Sequence, residues 1–200
     1  MTMAANQHVL QLFDTAESLT NTLATFLCEG WDEGDWMFVA ARMRNWQSVH
    51  RRLRRRGFPI ETAVEQGRLI VLDAALTRSA VIKGEMPDRE WFLSTIGRLV
   101  ARLSAVSAGR LRVCSEYVDI LAEEGNFEGA CRLEELWDEV RRQHPCTVLC
   151  SYSAAHFTAT TAAEHLRRIC RCHTALRCES ADILGRWLLR DGLAQLNATG

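Results

Sequence analysis

The sequence predicts an α/β fold, a parallel sheet flanked by helices on both faces. Three observations carry this. Short, nearly continuous apolar runs such as Trp36-Met37-Phe38-Val39-Ala40 and Leu69-Ile70-Val71-Leu72-Asp73 read as strands buried on both faces. Between the runs lie longer stretches with apolar residues at helical spacing. The joining segments are short, with no linker and no internal repeat, as expected when strands alternate with covering helices.

In chain order, Val9, Leu12, Phe13, Ala16, Leu19, Leu23, Phe26 and Leu27 predict an amphipathic helix over residues 9–27, with Gly30 as its left-handed cap. The first strand follows at 36–40. Asn45 is placed to cap a helix that runs to Arg56 and stops at Gly57. The second strand is 69–73. Asp88 caps a helix over 89–108, the third strand is 111–114, and a short helix covers 118–124. A helix over 127–142 turns Leu133, Leu136, Trp137 and Val140 inward, and the fourth strand is 146–150. Helices over 160–171 and 180–195 complete the chain, which is read as one domain over residues 1–200 with its core at about 8–185.

The 24 basic and 25 acidic residues nearly cancel, leaving a net charge of −1, so a general polyanion binder is not expected and nucleic acid is not an expected partner. All but one of the basic residues are arginine; the exception is Lys83. No segment is long and apolar enough to span a membrane, and residues 1–8 lack the basic-then-apolar pattern of a secretory signal. The expected location is cytoplasmic, with the eight cysteines reduced.

Ligands of such sheets bind beyond the carboxyl ends of the strands. That singles out Arg42 and Asn45 after the first strand, Asp73 after the second, Glu116 after the third, and Tyr152 after the fourth, with His173 as an outlying candidate. Nucleotide hydrolysis needs a glycine-rich loop followed by Lys and Ser or Thr. Ala41-Arg42-Met43-Arg44-Asn45 has neither glycine nor lysine, and Lys83 lies in Val81-Ile82-Lys83-Gly84, away from any such turn. No strand is followed by G-x-G-x-x-G, and the single lysine argues against Schiff-base chemistry. Cys150 and His173 are candidate nucleophile and base but lack an evident orienting partner. Cys170, Cys172, His173 and Cys178 form C-x-C-H-x4-C, unlike paired C-x2-C knuckles, so no metal and no cofactor are expected. Cys146 and Cys150, four residues apart on a strand, would lie about 13 Å apart, too far for a disulfide. The block His50 to Arg56 reads as a solvated basic face, with docking to an acidic partner as the alternative.

Several segments carry a family signal. Leu111 to Leu121 (LRVCSEYVDIL) resembles the "RV-x-GEM-V-x-L" segment of the MEDS domain, the sensory domain of methanogens and methylotrophs. Glu124-Gly125-Asn126 followed by Leu133-Glu134-Glu135-Leu136-Trp137 resembles the family's "EGN … LEELWN". Val148-Leu149-Cys150-Ser151-Tyr152 is similar to its "LLCAY", and Ile169-Cys170-Arg171-Cys172-His173 with Glu179-Ser180 to its "IC-x-x-H … ES". His8, Phe26-Leu27, Gly30 and Gly34 stand where the family has "H … FL-x-x-GL-x-x-GE", and Gly67 to Ala74 resembles "G-x-L-x-x-LDA". The likeness spans about residues 8–185. Ser115, Tyr117 and Asp35 depart from the family's glycine, methionine and glutamate.

The resemblance implies a degenerate RecA-like (P-loop-like) domain, similar to the KaiC ATPases but without a functional phosphate loop. It also implies a non-enzymatic sensor of small molecules within bacterial signal transduction. The expected ligand site is Arg42, Asn45, Asp73, Glu116, Tyr152 and His173. The expected partner is a histidine kinase or response regulator, with a homo-oligomer as a further arrangement and no membrane. Two alternatives stand beside it: a ligand-free pseudo-ATPase scaffold using exposed members of Trp31, Trp36, Trp46, Trp91, Trp137 and Trp187, and residual nucleotide binding or hydrolysis at Glu116.

Overall fold

A computed structural model describes residues 6–157 and 160–178 of the chain. The helix expected at 180–195 and Trp187 lie outside those residues. Six parallel strands form the main sheet in the order β3-β2-β6-β7-β1-β8. They are β1 (His8–Phe13), β2 (Trp36–Ala41), β3 (Leu69–Asp73), β6 (Leu111–Ser115), β7 (Thr147–Ser153) and β8 (Ala175–Cys178). A two-stranded antiparallel hairpin, β4 (Ile82–Lys83) and β5 (Met86–Pro87), projects from the β3 connection.

The first correction concerns residues 9–27, expected as one helix. Residues 8–13 are instead the strand β1, paired with β7 on one side and β8 on the other. Helix α1 (Ala16–Glu33) begins only after Thr15, whose hydroxyl accepts from the Ser18 backbone amide at 3.1 Å. The apolar positions of the strand run into those of the helix in phase, so the 3.6-residue period extends falsely across the junction. The second correction is the end of α1. Gly34, at φ 80°, takes the left-handed position, with Asp35 N–H bonded to Gly30 O and Gly34 N–H to Trp31 O. Gly30 sits inside the helix, where a Cβ would come within 2.7 Å of the Arg112 side chain.

The other helices are α2 (Met43–Arg55), α3 (Ile60–Glu65), α4 (Arg89–Phe92), α5 (Arg98–Val106), α6 (Tyr117–Glu123), α7 (Phe127–Gln143) and α8 (Thr160–Cys172). Asp88 caps α4 as expected, but a π-helical turn, Leu93–Gly97, divides the expected 89–108 helix. Asn45 is not a cap: α2 starts two residues earlier, at Met43. Helix α3, the hairpin and β8 had no counterpart in the sequence reading, because each is too short to show a period.

Alternate residues of each strand enter opposite cores. Met37, Val39 and Leu149 pack with Leu23 and Phe26 of α1 and with Val49 and Leu53 of α2. Phe38, Val113, Val148 and Leu10 pack with Val100, Leu121, Leu133, Trp137 and Ile169 on the face of α4 to α8. Adjacent strands β2 and β6 therefore send their chains to opposite faces, β2 into α2 and β6 into α6, and a crevice opens between them at the carboxyl ends.

Candidate functional site

The crevice between β2 and β6 is a topological switch point, where open α/β sheets bind ligands. Arg42 leaves β2 there and Glu116 leaves β6. Glu116, Asp119 and Glu123 are spaced i, i+3, i+7 and so share one face of α6. All three reach Arg42: Nη1 donates to Asp119 Oδ2 at 2.6 Å and to Glu116 Oε2 at 3.3 Å, and Nη2 to Glu123 Oε2 at 2.6 Å. Asn45 Nδ2 donates to the same Glu116 oxygen at 2.7 Å. His156, on a short 3-10 turn after β7, lies 3.0 Å from Asp119 Oδ1, which also accepts from the Ser153 amide at 2.8 Å.

Arg42, Glu116 and Asp119 are buried. Burial pushes the Glu116 carboxyl above its ordinary range, although Asn45 and Arg42 pull the other way. Burial acts on Asp119 in the same sense, but His156, the Ser153 amide and Arg42 outweigh it and hold Asp119 below the ordinary range. For Arg42, burial opposes the charge and the surrounding acids more than restore it. Glu116 Oε1 is buried without a hydrogen-bond partner. A cleft of about 430 Å³ opens beside this cluster, its floor apolar (Phe13, Ala16, Leu19) and its wall polar (Arg42, Asn45, Asp119).

The six expected site residues thus divide. Arg42, Asn45 and Glu116 come together at the switch point. Asp73 stands at the neighbouring strand end and organises a turn, its Oδ1 accepting from the Ala75 and Leu76 amides. The same turn places Thr77 Oγ 2.6 Å from the Tyr117 hydroxyl, a bond made by a residue that departs from the family pattern. A second departure, Asp35, accepts from Arg112 Nε at 2.7 Å.

Tyr152 and His173 belong elsewhere. Both side chains are buried on the α4-to-α8 face around Glu134 of α7. Tyr152 donates its hydroxyl to Glu134 Oε1 at 2.7 Å. His8 Nε2 and His173 Nε2 lie 3.1 and 3.4 Å from Glu134 Oε2, and Cys150 Sγ lies 3.5 Å from His8 Nε2. His173 therefore joins residues distant in sequence instead of its neighbours Cys170 and Cys172. Among the described residues, His8, Glu134, Cys150 and His173 form the group able to hold a metal ion. Sequence reasoning missed His8 and Glu134 as site residues. The missed signal for Asp119 and Glu123 was their helical spacing from Glu116; for His8 and Glu134 it was only their place in the family-like segments.

The strand that opens the sheet is β1, so the connection to inspect for a phosphate loop is Asp14-Thr15, not residues 41–45. It is two residues long, with no glycine and no lysine, so it has no nest of amides for phosphate.

Fold and crevice define a doubly wound parallel α/β domain with a polar strand-end cleft. The model of the methanogen/methylotroph, DcmR sensory domain matches residues 7–174, and the chain belongs to this MEDS family. MEDS is a family of sensory domains, consistent with a sensory or regulatory role. No curated protein gives a significant match. No helix among the described residues is long and apolar enough to cross a membrane.

Proposed function

We propose that the protein is a non-enzymatic sensor on a degenerate RecA-like framework. It binds a small polar molecule in the β2–β6 cleft and passes the occupied state to a histidine kinase or response regulator. The observation that carries this reading is the cluster around Arg42 beside the cleft. Three acids surround one buried guanidinium, and Glu116 Oε1 has no partner. Arg42 and Arg44 line the cleft together with Asp119 and Glu123, so a ligand that both donates and accepts hydrogen bonds suits it better than a simple anion. Signalling requires that the ligand bind two conformations unequally. Arg42 and Glu116 join β2 to α6, so a ligand that draws one of these contacts away shifts the two elements against each other. The two-residue Asp14-Thr15 connection supports the pseudo-ATPase character.

Native mass spectrometry of freshly purified protein, with a denatured control, tests the reading. The expected result is a discrete organic mass lost on denaturation and weakened by Asn45→Ala. A chain free of organic ligand, unchanged in stability by a panel of small alcohols and amines, would sink it.

A ligand-free interaction scaffold is the second reading. It is favoured by exposed Leu76, Met86 and Trp91, all within the segment that carries the β4–β5 hairpin. Capture of a signalling partner that survives removal of small molecules and fails with Trp91→Ala supports it.

A further inference from the structure

We propose that His8, Glu134, Cys150 and His173 bind one divalent transition ion, Zn²⁺ by donor type, in the sealed core between β1, β7, α7 and the end of α8. This goes beyond the cleft reading and does not depend on it. The four ligand atoms lie within 4.8 Å of one another. Three of the separations, 3.1, 3.4 and 3.5 Å, already approximate the edges of a tetrahedron. For Zn–N and Zn–O near 2.0–2.1 Å and Zn–S near 2.3 Å those edges are roughly 3.3–3.6 Å. Two imidazoles, a thiolate and a carboxylate suit zinc better than Mg²⁺ or Ca²⁺, which take oxygen ligands.

The orientation of both rings points the same way. His8 Nδ1 lies 2.8 Å from the Cys172 carbonyl and His173 Nδ1 lies 2.7 Å from the Ile169 carbonyl. A carbonyl oxygen only accepts, so both Nδ1 atoms carry the proton. With Nδ1 so engaged, each ring turns its Nε2 into the cluster, the arrangement that second-shell carbonyls impose on metal-bound histidines. The ring centroids lie 3.9 Å apart with their planes tilted by 32°. His173 Nε2 and Glu134 Oε2 are buried with no hydrogen-bond partner although they face each other. A single proton shared by His8 and Glu134 satisfies one of these contacts and leaves the other lone pairs opposed. One metal ion satisfies all four.

Charge agrees. A divalent ion with one carboxylate and one thiolate is neutral, the state that a water-excluded site requires. On binding, the Cys150 thiol loses its proton to solvent and the Sγ–metal bond takes its place. Tyr152, donating to Glu134 Oε1, keeps that carboxylate aimed at the ion. Because the ligand side chains are buried, loading accompanies folding.

The test uses the full chain, unfolded with a chelator and refolded with or without one equivalent of Co²⁺. The expected outcome is one cobalt per chain, the intense visible absorption of tetrahedral cobalt, a thiolate-to-cobalt charge-transfer band, and a raised melting temperature. Zinc should bleach the colour. Cys150→Ser should remove the charge-transfer band. Tyr152→Phe leaves all four ligands and should weaken affinity by about 10–100-fold. A wild-type chain that refolds fully without taking up cobalt or zinc overturns the proposal, whatever the variants do. So does a cobalt spectrum that Cys150→Ser leaves intact. In the native mass spectrum, a metal mass reports this site and an organic mass reports the cleft, so either can fail alone.

Discussion

The Arg42 cluster and the Glu134 cluster are both buried acids on the α6–α7 unit, yet they solve the burial problem in different ways. At the switch point the chain supplies its own cation: Arg42 neutralises Asp119 and part of Glu116, and the cleft lies alongside. Around Glu134 the described residues supply no permanent cation, only two imidazoles, a thiol and the Tyr152 hydroxyl. The first arrangement is complete as a framework and leaves its surplus acceptors to a visitor. The second is a set of donor atoms in want of a positive charge.

The sharpest way to break this contrast is Arg42→Met. It leaves two buried carboxylates without their cation and should cost about 3–5 kcal/mol in urea unfolding. A loss below about 1 kcal/mol would mean that His156 and solvent already balance these acids. Tyr152→Phe comes next, at about 1–3 kcal/mol, because it strips Glu134 Oε1 of its donor inside the core. The loss should be larger when metal is present at refolding, because the variant also holds the ion less tightly; an equal loss in both conditions would separate Tyr152 from the metal site.

Asp119→Asn should cost about 1–3 kcal/mol at neutral pH. Its pH dependence has a definite sign. Asp119 is held below the ordinary 3.8, so ionised Asp119 contributes stability above that value and loses it as pH falls through the lower folded value. The gap between wild type and Asp119→Asn should therefore close in acid; a gap constant with pH would remove the ionised carboxylate from the account. Glu116→Gln should have the smallest effect, within about 1 kcal/mol. Glu116 is raised above the ordinary 4.5, so the folded state holds its proton more tightly and loses stability as pH rises through the folded value. The variant should gain on the wild type over that interval. A steady loss there would show that the charge of Glu116 is already well satisfied.

Legibility in the sequence followed the distance over which each feature is built. The strands at 36–40, 69–73, 111–114 and 146–150 were visible as compact apolar runs, and their carboxyl ends led directly to Arg42, Asn45 and Glu116. The i+3 and i+7 acids of α6 were legible too, had the helix face been followed from Glu116. β1 was hidden because Leu12-Phe13 continues into Ala16 and Leu19 at a helix-like interval; the Thr15 cap was the local mark that should have divided them. Tyr152 was chosen for its place at a strand end, and His173 was an outlying candidate beside Cys170 and Cys172. Their true company, Glu134 and His8, depends on α7 packing over the sheet and on β1 lying between β7 and β8. No local pattern encodes that, and the spacing of Cys170, Cys172 and His173 pointed to a neighbourhood that the fold divides.

The place of β1 has a consequence for how the chain is made. Among the described residues the strand pairs only with β7 and β8, so His8 first meets a partner at Val148, 140 residues later. At about 5–20 residues per second, Val9, Leu10 and Leu12 wait roughly 7–30 s after synthesis before β7 exists to receive them. The strand made first is the one inserted last but one, and its late insertion closes both cores at once. The nascent domain therefore carries a free apolar strand until β7 emerges, and chaperone capture or misassembly should concentrate on residues 8–13.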